Sequence, residues 1–197
     1  MDKQKIDGQI ARRVILIDGN IDEEVASSVA MVVKGLVLEG SPNIKVLITS
    51  QGGVQRFGVD IYDSLSAYEG YKTAVVWNYA LSCGVLPLLA CNLKQALPHS
   101  RLLFNTGALP NGVTAAMLRN PEWVQQATKS LEEGDDVFRK IISDSTSLSE
   151  KQVSQLLSRE GNLTAEEACQ MGLLDEVLVR PLFEEEGFPQ QLSGVTT

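Results

Sequence analysis

The chain has 197 residues, 44% of them hydrophobic and 21% charged, a size and balance that suit a single globular core and exclude a disordered or collagen-like polymer. Its formal net charge of -8 gives no electrostatic pull toward nucleic acid or an anionic membrane, and no run of Lys and Arg offsets that average. Three cysteines, Cys83, Cys91 and Cys169, are an odd number without metal-ligand spacing, so neither a disulfide framework nor a metal site is expected, and a reducing compartment fits.

The opening Met1-Asp2-Lys3-Gln4-Lys5 is polar and runs into no long apolar stretch, so residues 1–12 read as a short N-terminal segment without a secretory signal. A cytoplasmic location is expected. From Arg13 onward, apolar runs of strand length alternate with amphipathic runs of helix length, the pattern of an α/β fold with a mostly parallel sheet. The first strand is Arg13 to Ile17, closed by an Asp18-Gly19-Asn20 turn. A helix starts near Asp22 and carries Val25, Val29, Val32 and Leu36 on one face.

The second unit runs from the strand Ile44 to Ile48, through a Ser50-Gln51-Gly52-Gly53 turn, into a helix with Phe57, Ile61, Leu65 and Tyr68 on one side. The third has a strand from Thr73 to Trp77, a turn from Asn78 to Leu81 and a short helix opening at Ser82. The stretch from Ala74 to Cys91 is the most apolar, but Asn78, Ser82, Gly84 and Pro87 interrupt it too often for a membrane span. The glycine-containing turns all lie where strands hand over to helices, the edge at which open α/β folds build sites.

A strand near Arg101 to Phe104 and a looser segment from Thr106 to Ala116 precede a long helix, capped by Asn120 with Pro121 as its first residue. Val124, Ala127, Leu131, Phe138 and Ile141 form its narrow apolar seam. Periodicity alone leaves open whether this helix projects toward a partner or lies on the sheet. Ser149 with Gln152 begins another helix, Thr164 to Ala168 a further one, and Glu176 to Val179 is the last strand. The acidic residues 181–197 read as a solvated tail, leaving residues 13–180 as one domain.

Two features could carry chemistry. Ser82 opens a helix, where unpaired N–H groups and partial positive charge would favour a reactive hydroxyl, although serine is also a common helix cap. The Gly52-Gly53 pair lets backbone N–H groups approach an acyl oxygen closely.

Together these segments resemble the proteolytic subunit of the Clp protease, a serine peptidase family. Ser50-Gln51-Gly52-Gly53 is similar to the family's Ser-Pro-Gly-Gly, and Gly58-Val59-Asp60-Ile61-Tyr62-Asp63 to its Gly-Met-x-Ile-Tyr-Asp. Ala80-Leu81-Ser82-Cys83-Gly84 resembles Ala-Ala-Ser-Met-Gly, Leu97-Pro98-His99-Ser100-Arg101 resembles Leu-Pro-Asn-Ser-Arg, and Leu163 to Ala168 with Gly172-Leu173-Leu174-Asp175 resembles the closing motif. The five matches come in order, from Arg13 to about Val179. The resemblance implies a crotonase-like fold of repeated β-β-α and βα units, with residues 121–143 as a projecting handle helix.

By this match Ser82 takes the nucleophile position, and Gly53 and Cys83 are placed to offer oxyanion-hole N–H groups. The family's basic histidine, in a Met-Ile-His-Gln-Pro context, is replaced by Asn105 in Leu102-Leu103-Phe104-Asn105-Thr106. The acid, taken to precede the closing motif by six or seven residues, is replaced by Leu156. A serine hydroxyl needs a base to accept its proton, and an amide cannot serve near neutral pH. His99, six residues before Asn105, is too far along an extended chain to substitute. Lys72, Lys94 and Lys129 match no position for a Ser-Lys dyad, and Asp144 and Asp175 read as ordinary acids.

The interval from Ser82 to Asn105 is about two residues short of the family's, so the loop at Asn92-Leu93-Lys94-Gln95 is expected to be trimmed. The family's axial-gate segment is mostly absent before Arg13. What the resemblance implies is a non-catalytic subunit, like the inactive ClpR-type paralogues, in seven-membered rings of its own kind or with active ClpP-like subunits. An AAA+ unfoldase is implied as partner, no cofactor is implied, and the plastid stroma is an alternative to the cytoplasm. Two other readings are a serine endopeptidase with an atypical base and a crotonase-like acyl-CoA enzyme. The second lacks an acid pair for hydration and the extra C-terminal helices.

Overall fold

A computed structural model describes residues 3–109, 112–159 and 161–179. The expected tail at 181–197 lies outside the described residues. Within the N-terminal segment α1 (Lys3–Arg12) is a helix, and Ile10 packs onto Gly35, where a Cβ would collide with its side chain.

β1 (Val14–Ile21), β2 (Ile44–Gly53) and β3 (Lys72–Leu81) are each longer than the apolar runs that mark them. The expected turns at Asp18-Gly19-Asn20, at Ser50 to Gly53 and at Asn78 to Leu81 are strand. The cause is pairing: Gly19 lies opposite Ser50, Asn20 opposite Gly52, Ile21 opposite Gly53 and Ser50 opposite Ala80. Turn-type residues here continue the ladder through two register shifts, one between Gly19 and Asn20 and one between Ile48 and Ser50.

Crossover helices cover the sheet. α2 (Glu23–Leu38) is capped by Asp22, whose carboxylate accepts from the Val25 N–H at 3.0 Å, and it buries Val29, Val32 and Leu36 completely or nearly so. α3 (Gln55–Ser66) buries Ile61 and Leu65, and Tyr68 just beyond it is buried too. Ser82–Val85 is a 3₁₀ turn that runs into α4 (Leu86–Leu89), with Pro87 in its first turn.

The expected trimmed loop is a strand: β4 (Leu93–Ala96) pairs parallel with the first half of β3, from Thr73 to Val76. β5 (Arg101–Leu103) pairs with the last part, from Tyr79 to Leu81, so β3 forks and serves two neighbours in succession. β6 (Leu163–Thr164) adds antiparallel to β5. β7 (Glu176–Val177), two residues shorter than expected, closes the path β1-β2-β3-β4-β7. The sheet is parallel except at β6, as expected from crossover units.

After the short α5 (Ala115–Leu118) comes α6 (Pro121–Ser145), about 37 Å long at 1.5 Å per residue. Asn120 caps it, its Oδ1 accepting from the N–H groups of Glu122 and Trp123. Its buried residues, Phe138, Ile141 and Ile142, all lie in the second half. The first half stands off the core. α7 (Glu150–Leu157) and α8 (Ala165–Gln170) each open on a capping box, Ser149 with Gln152 and Thr164 with Glu167. Among the described residues no helix is long and apolar enough to cross a membrane.

Candidate active site

The ends of β2 and β3 build the site because they are pinned together. Ser50 is fully buried; its hydroxyl donates to the Gly19 carbonyl at 2.8 Å and accepts from the Gly52 N–H at 3.1 Å, so this serine ties β1 to the glycine edge. Gly84 packs on it, with room for a Cβ only 3.0 Å from the Ser50 carbonyl oxygen. Across this contact the chain leaves β3, and Ser82 takes φ +53, the left-handed region that a residue with a Cβ rarely enters. Ser82 is the first residue of the turn, and the cap position before it is Leu81. Such an outlier persists only where its surroundings over-determine it.

Ser82 opens onto a cleft of about 900 Å³ between the strand ends and α6. Gly53, Cys83 and Asn105 line the same cleft, with Gln55, Thr106 and Gly107 beside them and Leu131, Val137 and Phe138 of α6 opposite. Burial pushes the Cys83 thiol up to about 11, while the backbone N–H of Gly53 and that of Cys83 itself pull it the other way.

Asn105 follows the buried Phe104 at the end of β5, and its Oδ1 is buried without a hydrogen-bond partner. An unmade bond of that kind costs about 1–3 kcal/mol. Leu156 is not brought to the cleft: it is 2% exposed within α7, in the core. His99 is exposed in the turn before β5 and does not line the cleft either. Lys72 is buried, its ammonium donating to the Tyr68 carbonyl at 2.8 Å at the end of α3, and Lys94 lies 3.9 Å from Asp175. Asp144 pairs with Lys140 at 2.8 Å.

Arg56 and Glu133 are the cleft's charged side chains among the described residues, and Glu133 is a surface group 3.7 Å from Lys129. Among the described residues no group of three His, Cys, Asp or Glu side chains stands together to hold a metal. Among the described residues the cleft therefore holds a hydroxyl on a strained turn beside the Gly53 strand end, and its lining includes no His, Lys or Asp.

Sequence reasoning missed Gln55 and Asp135. Gln55 donates to the Gly134 carbonyl at 2.8 Å, and Asp135 accepts from the Gly107 N–H at 2.6 Å. Partners 79 and 28 residues apart leave no local signal.

The family model described as Clp protease matches residues 3–181. The chain belongs to the Clp protease family. A protein of Streptomyces avermitilis described as ATP-dependent Clp protease proteolytic subunit 1 is 27% identical over 172 residues, covering 86% of this chain and 76% of that protein. A solved structure of a point mutant of ClpP1 from Listeria monocytogenes has a TM-score of 0.76, with 23% identity, over 88% of this chain and 95% of that one. The likeness to that structure is a likeness of fold. The Clp-type α/β fold expected from the five motifs is thus the fold the chain has.

Proposed function

We propose that this chain is a non-catalytic Clp-type subunit that fills places in a proteolytic ring, with itself or beside active subunits. The observation that carries the reading is Asn105 on the cleft that holds Ser82. An amide stands where the family's base is a histidine, its Oδ1 buried and unpartnered. Without a base, turnover falls by orders of magnitude even where oxyanion donors remain.

The role is then architectural. α6 supports it: the first half buries no side chain in the core and carries Val124 exposed along it, as a helix does when another copy packs on it. In this reading the ring works with an AAA+ unfoldase, in a cytoplasmic or stromal setting.

One feature favours a second reading. The left-handed backbone at Ser82 is of the kind stored at working nucleophiles, and a serine peptidase whose base comes from a neighbouring subunit would retain it. Hydrolysis of a short fluorogenic peptide, with Ser82→Ala alongside and the oligomer mass recorded on the same sample, separates the two. A well-formed ring without signal is the expected result. Signal above the Ser82→Ala control would sink the non-catalytic reading.

A further inference from the structure

Of the residues in α6 only Phe138, Ile141 and Ile142 are buried, and the rest of the helix shows an ordered set of side chains. Val124, Thr128, Glu132, Asp136 and Lys140 follow one another at four-residue steps, and all five are exposed. Residues spaced in that way form one ridge, the element by which helices pack into one another's grooves. Val124 is the apolar position of the ridge. Leu118 of α5, which packs beside the start of α6, adds a second exposed apolar side chain at the same end.

The charges along this ridge do not balance. Lys140 is taken by Asp144 at 2.8 Å, and Lys129, on the neighbouring ridge, lies 3.7 Å from Glu133. Among the described residues Glu132 and Asp136 have no cationic partner. They are like charges one turn apart, an arrangement that weakens a helix standing alone. The pair flanks the midpoint of a helix that runs from Pro121 to Ser145. A second copy of this chain, set antiparallel across a two-fold axis near that midpoint, presents the same surface to itself, acid against acid. A helix with Lys or Arg at the facing positions meets the two carboxylates with opposite charge instead.

We propose that the ridge from Val124 to Lys140 docks a helix of a different subunit, one that brings Lys or Arg to Glu132 and Asp136 and an apolar residue to Val124, and that it disfavours a second copy of this chain. The proposal rests on the reading of α6 as an assembly surface and deepens it by naming the chemistry of what packs there. It does not rest on the absence of a base.

The test uses the full chain and a charge-reversed form of it, Glu132→Lys with Asp136→Lys, which stands in for the basic partner. Sedimentation velocity follows each form alone and an equimolar mixture, with one form tagged so that a mixed species is recognised. At about 0.05 M salt the mixture is expected to double the mass of the unit that each form makes alone, at a concentration about tenfold lower than either form needs to pair with itself. That advantage should vanish at about 1 M salt, where the screening length falls to about 3 Å. Val124→Asp in the otherwise unmodified chain should abolish the mixed species. The proposal is overturned if the unmodified chain pairs with itself as tightly as with the reversed form, if the mixture gains nothing at low salt, or if the mixed species survives Val124→Asp. Should the reversed form fail to fold, as seen by circular dichroism, the neutral variant Glu132→Gln with Asp136→Asn must pair with itself about threefold more tightly than the unmodified chain at low salt, and no gain there is equally decisive. Hydrolysis of the fluorogenic peptide by the unmodified chain would sink the non-catalytic reading and leave this series to be judged on its own.

Discussion

Gly52 lies directly against Ser82: a Cβ on Gly52 would stand 2.8 Å from Ser82 Cβ and 2.7 Å from the Leu81 carbonyl oxygen. Gly52 also has φ +89, so a side chain there meets both a collision with backbone and a disfavoured conformation. Gly52→Ala is expected to lower stability by about 2–4 kcal/mol, measured by urea unfolding. An alanine variant as stable as the parent would show that the strand end and the 3₁₀ turn are not packed as tightly as these distances state.

Ser82 gives a cleaner measure of strain. Ser82→Ala and Ser82→Gly both remove the hydroxyl, but only glycine adopts φ +53 without penalty. The glycine variant is expected to be about 1 kcal/mol more stable than the alanine variant, although glycine is usually the weaker residue. Equal stabilities would mean that the turn relaxes once the serine is gone.

Asn105→His restores an imidazole on the cleft that Ser82 also lines. Hydrolysis of a fluorogenic peptide is expected to rise about tenfold or more above the same chain with Asn105, and to vanish with Ser82→Ala. The base acts only when neutral, so the rate should climb with pH through roughly 6 to 7. A flat pH profile would point to some other proton acceptor.

The buried thiols predict a pH dependence of stability. Burial pushes Cys83 up to about 11 and Cys91 up to about 12, against the Lys72 and Lys94 charges that pull Cys91 down. In the unfolded chain both ionise near their ordinary value of about 8.5. The folded state therefore holds more protons above that value, and stability should be intact below it and fall as pH rises toward 11. Urea midpoints at pH 8 and pH 10 test this, with the lower midpoint expected at pH 10. In the native protein at pH 8, iodoacetamide should label the partly exposed Cys169 and spare the two buried thiols.

The parallel α/β architecture was legible because each crossover leaves a local mark: an apolar run for the strand, a cap and a period for the helix. Asp22, Asn120, Ser149 and Thr164 all cap where capping chemistry puts them. Strand ends were not legible. Asp18-Gly19-Asn20 and Ser50 to Gly53 have turn composition, yet each completes the other's ladder, and composition within one segment cannot report its partner. β4 escaped for the same reason, as four residues including Lys94 and Gln95 become strand only by lying beside β3. α1 lacks a clean apolar stripe, and Gly8 lies in its middle.

At the site, the clustering of Ser82, Gly53, Cys83 and Asn105 could be read from motif order. Leu156, set at the acid's position by its distance from the closing motif, lies instead in the core within α7 and off the cleft, because spacing along the chain does not say which face of a helix a residue takes. The bond that Gln55 makes to α6 depends on a glycine 79 residues away, and only folding brings the two together.

The fork in β3 separates two duties that a continuous strand would have joined. Its first half, with β4 and β7, completes the five-strand path; its last residues, with β5, carry the ledge from which residue 105 hangs. That ledge is three residues long, and residue 105 lies two positions past its end, so exchanging the side chain there re-registers no strand pair of the long path. A scaffold built this way can change the chemistry at one corner while its load-carrying lattice stays as it was, and a lineage of such chains could trade a cutting edge for a place in the wall.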